Sequence, residues 1–474
     1  MAVTQSEPGT LDQCILREME RWDVPGIVVA VMQDGAIDAR AFGVTSLDTN
    51  QPVSIDTLFQ VGSITKVFTA TLVLQLVEEG QVDLDAPVRT YLPDLRLADD
   101  EALRTITLRH LLSHQSGLFG DRFDDYGLGD DALARSVANF HTLRQLTPPG
   151  ELWAYCNTGF QLAGAVIERL LDMPYEQALR ERLTAPLGLE RTTFFAHEAI
   201  VYPVAVGHVN RPEDGMEVAR RYALPRCVNP AGGLIATAGD LLRFAAMHLN
   251  DGELDGRRIL SPESARAMRE PQTAAACFAD AYGLGWAITE AGDTRIVGHG
   301  GSTNGFQARL TLVPDRRFAL AILTNSEHGA AAYAQIERWA LQHLCDVSIP
   351  RPKRVLQNRN QLSRFAGHYQ RPDADIDVTV KGRGLEIALT LRDALTGRET
   401  QTTLAVAPVA DTVFLITEGE SEGERIDFIM GEDDRPRFIR LHGRLADRIA
   451  DEPAATARVA TEDDDNPSDA EEGP

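Results

Sequence analysis

The sequence predicts an α+β chain. An antiparallel sheet of about five strands is covered by helices and completed by a largely helical middle, and a small all-β unit follows. Three observations carry this. An apolar hairpin near the start matches in kind a run of four strands between residues 282 and 324 joined by short turns. Helical periodicity dominates residues 84–187. From residue 362 the pattern becomes short strands punctuated by turn residues.

Leu11 to Trp22 reads as an amphipathic helix with Leu11, Ile15, Met19 and Trp22 on one side. Gly26 to Met32 is a buried strand that turns at Asp34-Gly35 and returns as Ala36 to Phe42. A second helix runs from Ser63 to Glu79 and stops at Gly80. Its apolar residues Ile64, Val67, Phe68, Leu72, Leu74, Leu76 and Val77 cover most of its circumference, which places it at the centre of a domain. Further helices are predicted at Ala86–Leu92, Thr107–Ser113, Asp131–Phe140, Thr158–Leu171 and Tyr175–Leu183. His114, at the end of one of them, reads as a structural hydrogen-bonder. Residues 191–230, with Tyr202, His208 and Tyr222, read as loop bordering a cleft.

Thr237-Ala238-Gly239-Asp240 looks like a capping box opening the helix Leu241–Leu249. A meander follows at Tyr282–Thr289, Thr294–His299, Gly305–Leu312 and Phe318–Thr324, closed by a helix over His328–Leu344. The all-β unit has strands at Asp375–Val380, Gly384–Leu391, Thr402–Pro408, Thr412–Thr417, Arg425–Met430 and Arg437–His442, as a sandwich or barrel. The expected division is residues 1–349, a linker at 350–361, the β unit at 362–450 and an acidic, disordered tail at 451–474. A chain cut near residue 350 is expected to keep a folded first unit.

The 474 residues are too many for one ordinary core. A net charge of −24 argues against a nucleic-acid surface. No apolar run reaches the roughly 18 residues of a membrane span. The first ten residues lack the basic and apolar regions of a signal peptide. Five scattered cysteines without metal-ligand spacing read as buried thiols of a reducing compartment. The expectation is a cytoplasmic protein with no metal and no cofactor, acting on a small-molecule or peptide substrate. Oligomeric state is left open.

The chemistry centres on Ser63 and Lys66. Three residues apart on a helix, their hydroxyl and amine can meet. Ser63 in the first turn would also face unpaired N–H groups and the positive end of the helix dipole. The motif is common by chance, but the chain has only three lysines, Lys66, Lys353 and Lys381, among 46 Lys plus Arg. Arginine cannot give up its proton in a protein, whereas a desolvated lysine can. A chain that uses arginine for every other cation before residue 353 retains a titratable amine behind this serine.

Three motifs in order give the chain a family resemblance: Ser63-Ile64-Thr65-Lys66, Tyr155-Cys156-Asn157 and His299-Gly300-Gly301. Over roughly residues 11–345 it resembles the serine β-lactamase and penicillin-binding-protein superfamily. The similarity lies on the side of class C β-lactamases, D,D-carboxypeptidases, D-aminopeptidases and esterases. Leu111 to Leu118 and Pro230 to Leu234 also look like scaffold of that superfamily. The resemblance implies a β-lactamase/transpeptidase-like fold and a serine hydrolase working through an acyl-enzyme on Ser63. Lys66 or Tyr155 would be the base. Asn157 would orient Lys66 and bind the substrate amide, and His299 would face the substrate. Gly300 and Gly301 would allow its close approach, and the N–H groups of Ser63 and Ser302 would form the oxyanion hole.

One departure is informative. Histidine stands where the lactamases have lysine, which removes a permanent cation and speaks against efficient β-lactam hydrolysis. The expected substrate is a peptide or amide, with a D-residue among the candidates. Small acyl esters come next, then β-lactams or D,D-peptides. A non-catalytic binding module of the same fold is the reading of a different class. The β unit is similar to the lipocalin-like domains appended to some of these relatives.

Overall fold

The computed structural model describes residues 9–211, 215–393 and 397–451; of the acidic tail, residues 452–474 lie outside the described residues. A large antiparallel sheet with helices on both faces is joined to a closed eight-stranded barrel. The sheet runs Ala36–Gly43, Gly26–Gln33, Phe318–Thr324, Phe306–Val313, Thr294–Thr303, Ala287–Ala291, Ala281–Tyr282 and Thr273–Ala274.

The strand Gly26–Gln33 reads as one apolar run because both its faces are covered. Ile27, Val29 and Val31 pack with Ile336 and Trp339 of the helix Gly329–Leu344 and with Ile15 of the helix Leu11–Arg21. Val28, Ala30 and Met32 join the opposite core, around Phe68 and Leu72 of the Ser63 helix. Alternate side chains of a strand point to opposite faces, so this central strand serves two cores.

The sheet has eight strands rather than about five. The predicted strand Tyr282–Thr289 is two, Ala281–Tyr282 and Ala287–Ala291, and Thr273–Ala274 adds an edge. The break follows from Gly285 at φ +85°, where the chain crosses the Ser63 helix so closely that a Cβ would lie 3.0 Å from that of Ala70. Pieces of two residues are too short to show a period. The expected helix Ala86–Leu92 is only a 3-10 turn, Val88–Thr90, because the Val88 N–H bonds outward to the Ile106 carbonyl. Thr237 caps its helix as expected, but Asp240 turns away to accept from Arg191 N and Thr192 Oγ1.

The barrel contains the six expected strands and two more, Gly367–Arg371 and Arg444–Ala450, which close it. Arg444–Ala450 carries three charged residues in seven, so it does not read as a core strand. The barrel is not a loose appendage. Phe438 and Leu445 share a core with Leu146 and Ala154 of the first unit. Arg440 Nη1 donates to the Trp153 carbonyl at 2.9 Å, and Arg144 pairs with Asp447 at 2.8 Å.

Candidate active site

Gly62–Ile64 forms a 3-10 turn that runs directly into the helix Thr65–Glu78, which is buried from Thr65 through Leu74. Ser63 therefore stands at the head of a helix sunk in the core, and Lys66 follows on the same side. Lys66 has no exposed surface. Its Nζ lies 2.9 Å from Ser63 Oγ and donates to the Ala231 carbonyl at 2.5 Å. Burial holds its pKa well below that of an ordinary lysine, reinforced by the Arg444 charge and opposed by Asp121 and Cys156.

Tyr155 sits on the opposite wall, buried among Trp153, Ala275, Ala279 and Tyr282. The Lys66 amine is 5.0 Å from its ring centroid, and Ser63 is close enough to its hydroxyl to favour the phenolate form. Burial raises its pKa above the usual phenol value, against the pull of Ser63 and Arg444. The three residues named first by the sequence thus meet. The amine is the group whose proton affinity falls, and the phenol the group whose affinity rises.

The strand Thr294–Thr303 forms the third wall. Gly62 adopts φ +50°, and a Cβ there would lie 2.6 Å from the Ser302 nitrogen. A Cβ on Gly301 would strike the Val61 carbonyl oxygen at 1.9 Å and approach the Ser63 nitrogen at 3.2 Å. Two glycines let the strand lie against the serine turn, bringing the backbone of Ser302 next to that of Ser63. Gly300 faces the other way, toward the Tyr333 hydroxyl.

Two expected roles are not what the geometry gives. His299 does not face open substrate space: it is 2 % exposed, with Nδ1 2.5 Å from the Gly300 carbonyl and Nε2 2.9 Å from the Tyr282 hydroxyl. A carbonyl only accepts, so Nδ1 carries the proton and Tyr282 donates to Nε2. Burial pushes the imidazole pKa down to about 3, so His299 is neutral. Asn157, the first residue of the helix Asn157–Leu171, donates to Asp121 Oδ1 at 2.5 Å, while the contacts that orient Lys66 are Ser63 and Ala231. His114 accepts the Cys156 N–H at 3.0 Å and packs 4.3 Å from the Tyr155 ring, as a structural hydrogen-bonder would.

Sequence reasoning missed Asp121, Tyr282 and Arg444. Arg444 Nε donates to Asp121 Oδ2 at 2.8 Å, and its guanidinium carbon lies 4.7 Å from the Tyr155 ring centroid. No local pattern marks a pair that is 323 residues apart.

Comparison with known proteins agrees with this layout. Residues 11–344 match the family described as Beta-lactamase. Penicillin-binding protein 4 of Amycolatopsis lactamdurans is 39% identical over 335 residues, covering 69% of this chain and 87% of that protein. Esterase EstB of Burkholderia gladioli is 33% identical over 299 residues, covering 55% and 73%. The crystal structure of SurE aligns with a TM-score of 0.71 at 28% identity, covering 93% of this chain and 98% of that one. SurE with D-Leu gives 0.72 at 27%, with the same coverage.

Proposed function

The chain belongs to the beta-lactamase family, serine hydrolases of amides, esters or β-lactams, and from that premise we propose that it forms an acyl-enzyme on Ser63 and cleaves a peptide or amide. The observation that carries this reading is the fully buried Lys66 amine 2.9 Å from Ser63 Oγ. A neutral amine that donates one N–H to Ala231 keeps its lone pair for the serine proton.

Ser63 Oγ forms a bond to the substrate carbonyl carbon while its proton passes to Lys66. The N–H groups of Ser63 and Ser302 hold the oxyanion. As the carbon–nitrogen bond breaks, the proton passes through the Tyr155 hydroxyl to the leaving amine. Water then attacks the ester, giving its proton to the same base, and Ser63 is regenerated. In this scheme Tyr155 stays a phenol and relays protons, as its raised pKa supports.

The substrate reading follows from the charges. His299 is neutral, and Arg444 is paired with Asp121, so neither offers a free cation to a substrate carboxylate. This disfavours β-lactams and free carboxy-terminal dipeptides. The D-Leu bound to SurE supports a D-residue beside the scissile bond. The similarity to an esterase keeps small acyl esters as the second reading. Five buried free cysteines support a reducing compartment, the cytoplasm.

Labelling with a fluorophosphonate followed by peptide mass spectrometry tests the nucleophile: an adduct on Ser63 is expected, and its absence from folded protein would favour a binding module. Turnover of D- and L-aminoacyl p-nitroanilides, p-nitrophenyl esters and nitrocefin then ranks the substrates, with nitrocefin expected last.

A further inference from the structure

We propose that Arg444 of the barrel and Asp121 of the first unit form a positioning pair that holds Tyr155 and sets the charge around the Ser63–Lys66 couple. The hairpin joining Pro436–Leu441 to Arg444–Ala450 reaches the site through a two-residue turn, His442 at φ +49° and Gly443 at φ +76°. The Gly443 carbonyl accepts the Tyr155 N–H at 2.9 Å. A Cβ on Gly443 would lie 3.1 Å from Trp153 Cη2 and 3.3 Å from Tyr155 Cβ. Left-handed backbone and close approach both call for glycine there. The next residue lays its guanidinium over the Tyr155 ring.

Arg444 is fixed at every nitrogen. Nε meets Asp121 Oδ2 at 2.8 Å, Nη2 meets Oδ1 at 3.3 Å, and Nη1 donates to the His442 carbonyl at 2.9 Å. Asp121 Oδ1 also accepts the Asn157 amide, so one carboxylate joins the hairpin to the helix that follows Tyr155. A planar guanidinium against a carboxylate gives a direction as well as a charge. The pair thus links the barrel to the ring of the proton relay.

The two charges act on the couple with opposite sign. Arg444 lowers the proton affinity of both Lys66 and Tyr155, and Asp121 raises both. Polar groups against Tyr155 include His114, Cys156, Tyr282 and His299, for each of which burial disfavours the charged form, and Arg371, paired with Asp373, lines the same pocket beside Arg444. The Arg444–Asp121 pair is the ion pair whose charges act on both Lys66 and Tyr155.

This inference rests on the acyl-enzyme reading, and its test separates the two. The rate of Ser63 labelling by a fluorophosphonate is followed against pH in the full chain and in R444M, R444K, D121N and the double variant D121N/R444M. Near-UV circular dichroism reports folding. The acidic limb, which follows the fraction of neutral Lys66, is expected to move up by about one pH unit in R444M and down in D121N. It should return near the wild-type position in the double variant. R444K keeps the charge and loses the planar fork, so its limb stays in place while the rate falls about tenfold or more. If R444M does not fold, D121N and R444K decide. Limbs that stay fixed, or that move the same way in R444M and D121N, overturn the positioning pair. A wild-type protein that never labels overturns the acyl-enzyme reading itself.

Discussion

Lys66 donates to the Ala231 carbonyl at 2.5 Å while lying 2.9 Å from Ser63 Oγ, and no part of it reaches solvent. One bond points the amine and the other gives it work. The cost of burying an ammonium is avoided by leaving it unprotonated, which is also the state a base needs.

Replacing this amine separates charge from fold. Lys66→Met fills the same space without a polar group, so thermal stability is expected to hold within a few degrees while the acylation rate falls by about 10²–10⁴. Lys66→Arg keeps a cation that cannot release its proton and is expected to lose at least about 10² in rate and to melt earlier. Stopped-flow acylation and a melting curve read both. Wild-type turnover in either variant would remove Lys66 from the mechanism.

Neighbouring glycines should differ sharply. Gly301→Ala puts a Cβ 1.9 Å from the Val61 carbonyl oxygen, so the strand must leave the serine turn and the two oxyanion donors separate. A loss of about 10²–10³ in kcat is expected. Gly300→Ala meets the Tyr333 hydroxyl at 3.3 Å and the Ala308 carbonyl oxygen at an ordinary 3.8 Å, and should stay within about tenfold of wild type. Equal losses in the two variants would contradict this geometry.

Tyr282→Phe removes the donor to His299 Nε2 and leaves a buried acceptor unpaired. It should destabilise the protein by about 1–3 kcal/mol, measured by urea unfolding. A neutral result would mean the imidazole finds another partner or the other tautomer.

Acid should weaken the fold most below about pH 4.5. His248 and His299 are buried with pKa values pushed down to about 3, and burial pushes His114 down as well. Their folded pKa lies below the unfolded value near 6.5, so each takes up a proton on unfolding and stability falls as pH drops through that window. The slope is up to about 1.4 kcal/mol per pH unit for each. Glu168 and Glu424, raised to about 7 by burial, act the other way: their contribution grows as pH falls from 7 toward 4.5 and then levels off. Melting temperatures from pH 8 to 3 should decline gently and then steeply. A flat profile below 4.5 would refute the buried neutral histidines.

Removing the barrel tests the shared core. A chain ending at residue 349 loses Phe438 and Leu445 from beside Leu146 and Ala154, and loses the Gly443 carbonyl from Tyr155. Its Ser63 is expected to label at least about tenfold more slowly than in the full chain. Equal labelling would show that the barrel leaves the site alone.

Local chemistry is legible in the chain itself. The Ser63–Lys66 spacing, the scarcity of lysine, the all-round apolar helix and the alternating strands each depend on residues a few positions apart, where helix and strand geometry dictate which side chains meet. The helical middle and most of the barrel strands follow from the same periodicities. What only tertiary structure decided depends on segments distant in sequence. The His299 side chain turns inward because Tyr282, from a strand of two residues next to the sheet edge, supplies the hydrogen bond that makes a buried imidazole tolerable. Asn157 turns to Asp121 because that carboxylate is already held by Arg444. Arg444 itself lies on a strand whose charges conceal it from hydrophobic patterning. Its meeting with Asp121 is set by how the barrel docks, and no local period encodes a contact across 323 residues.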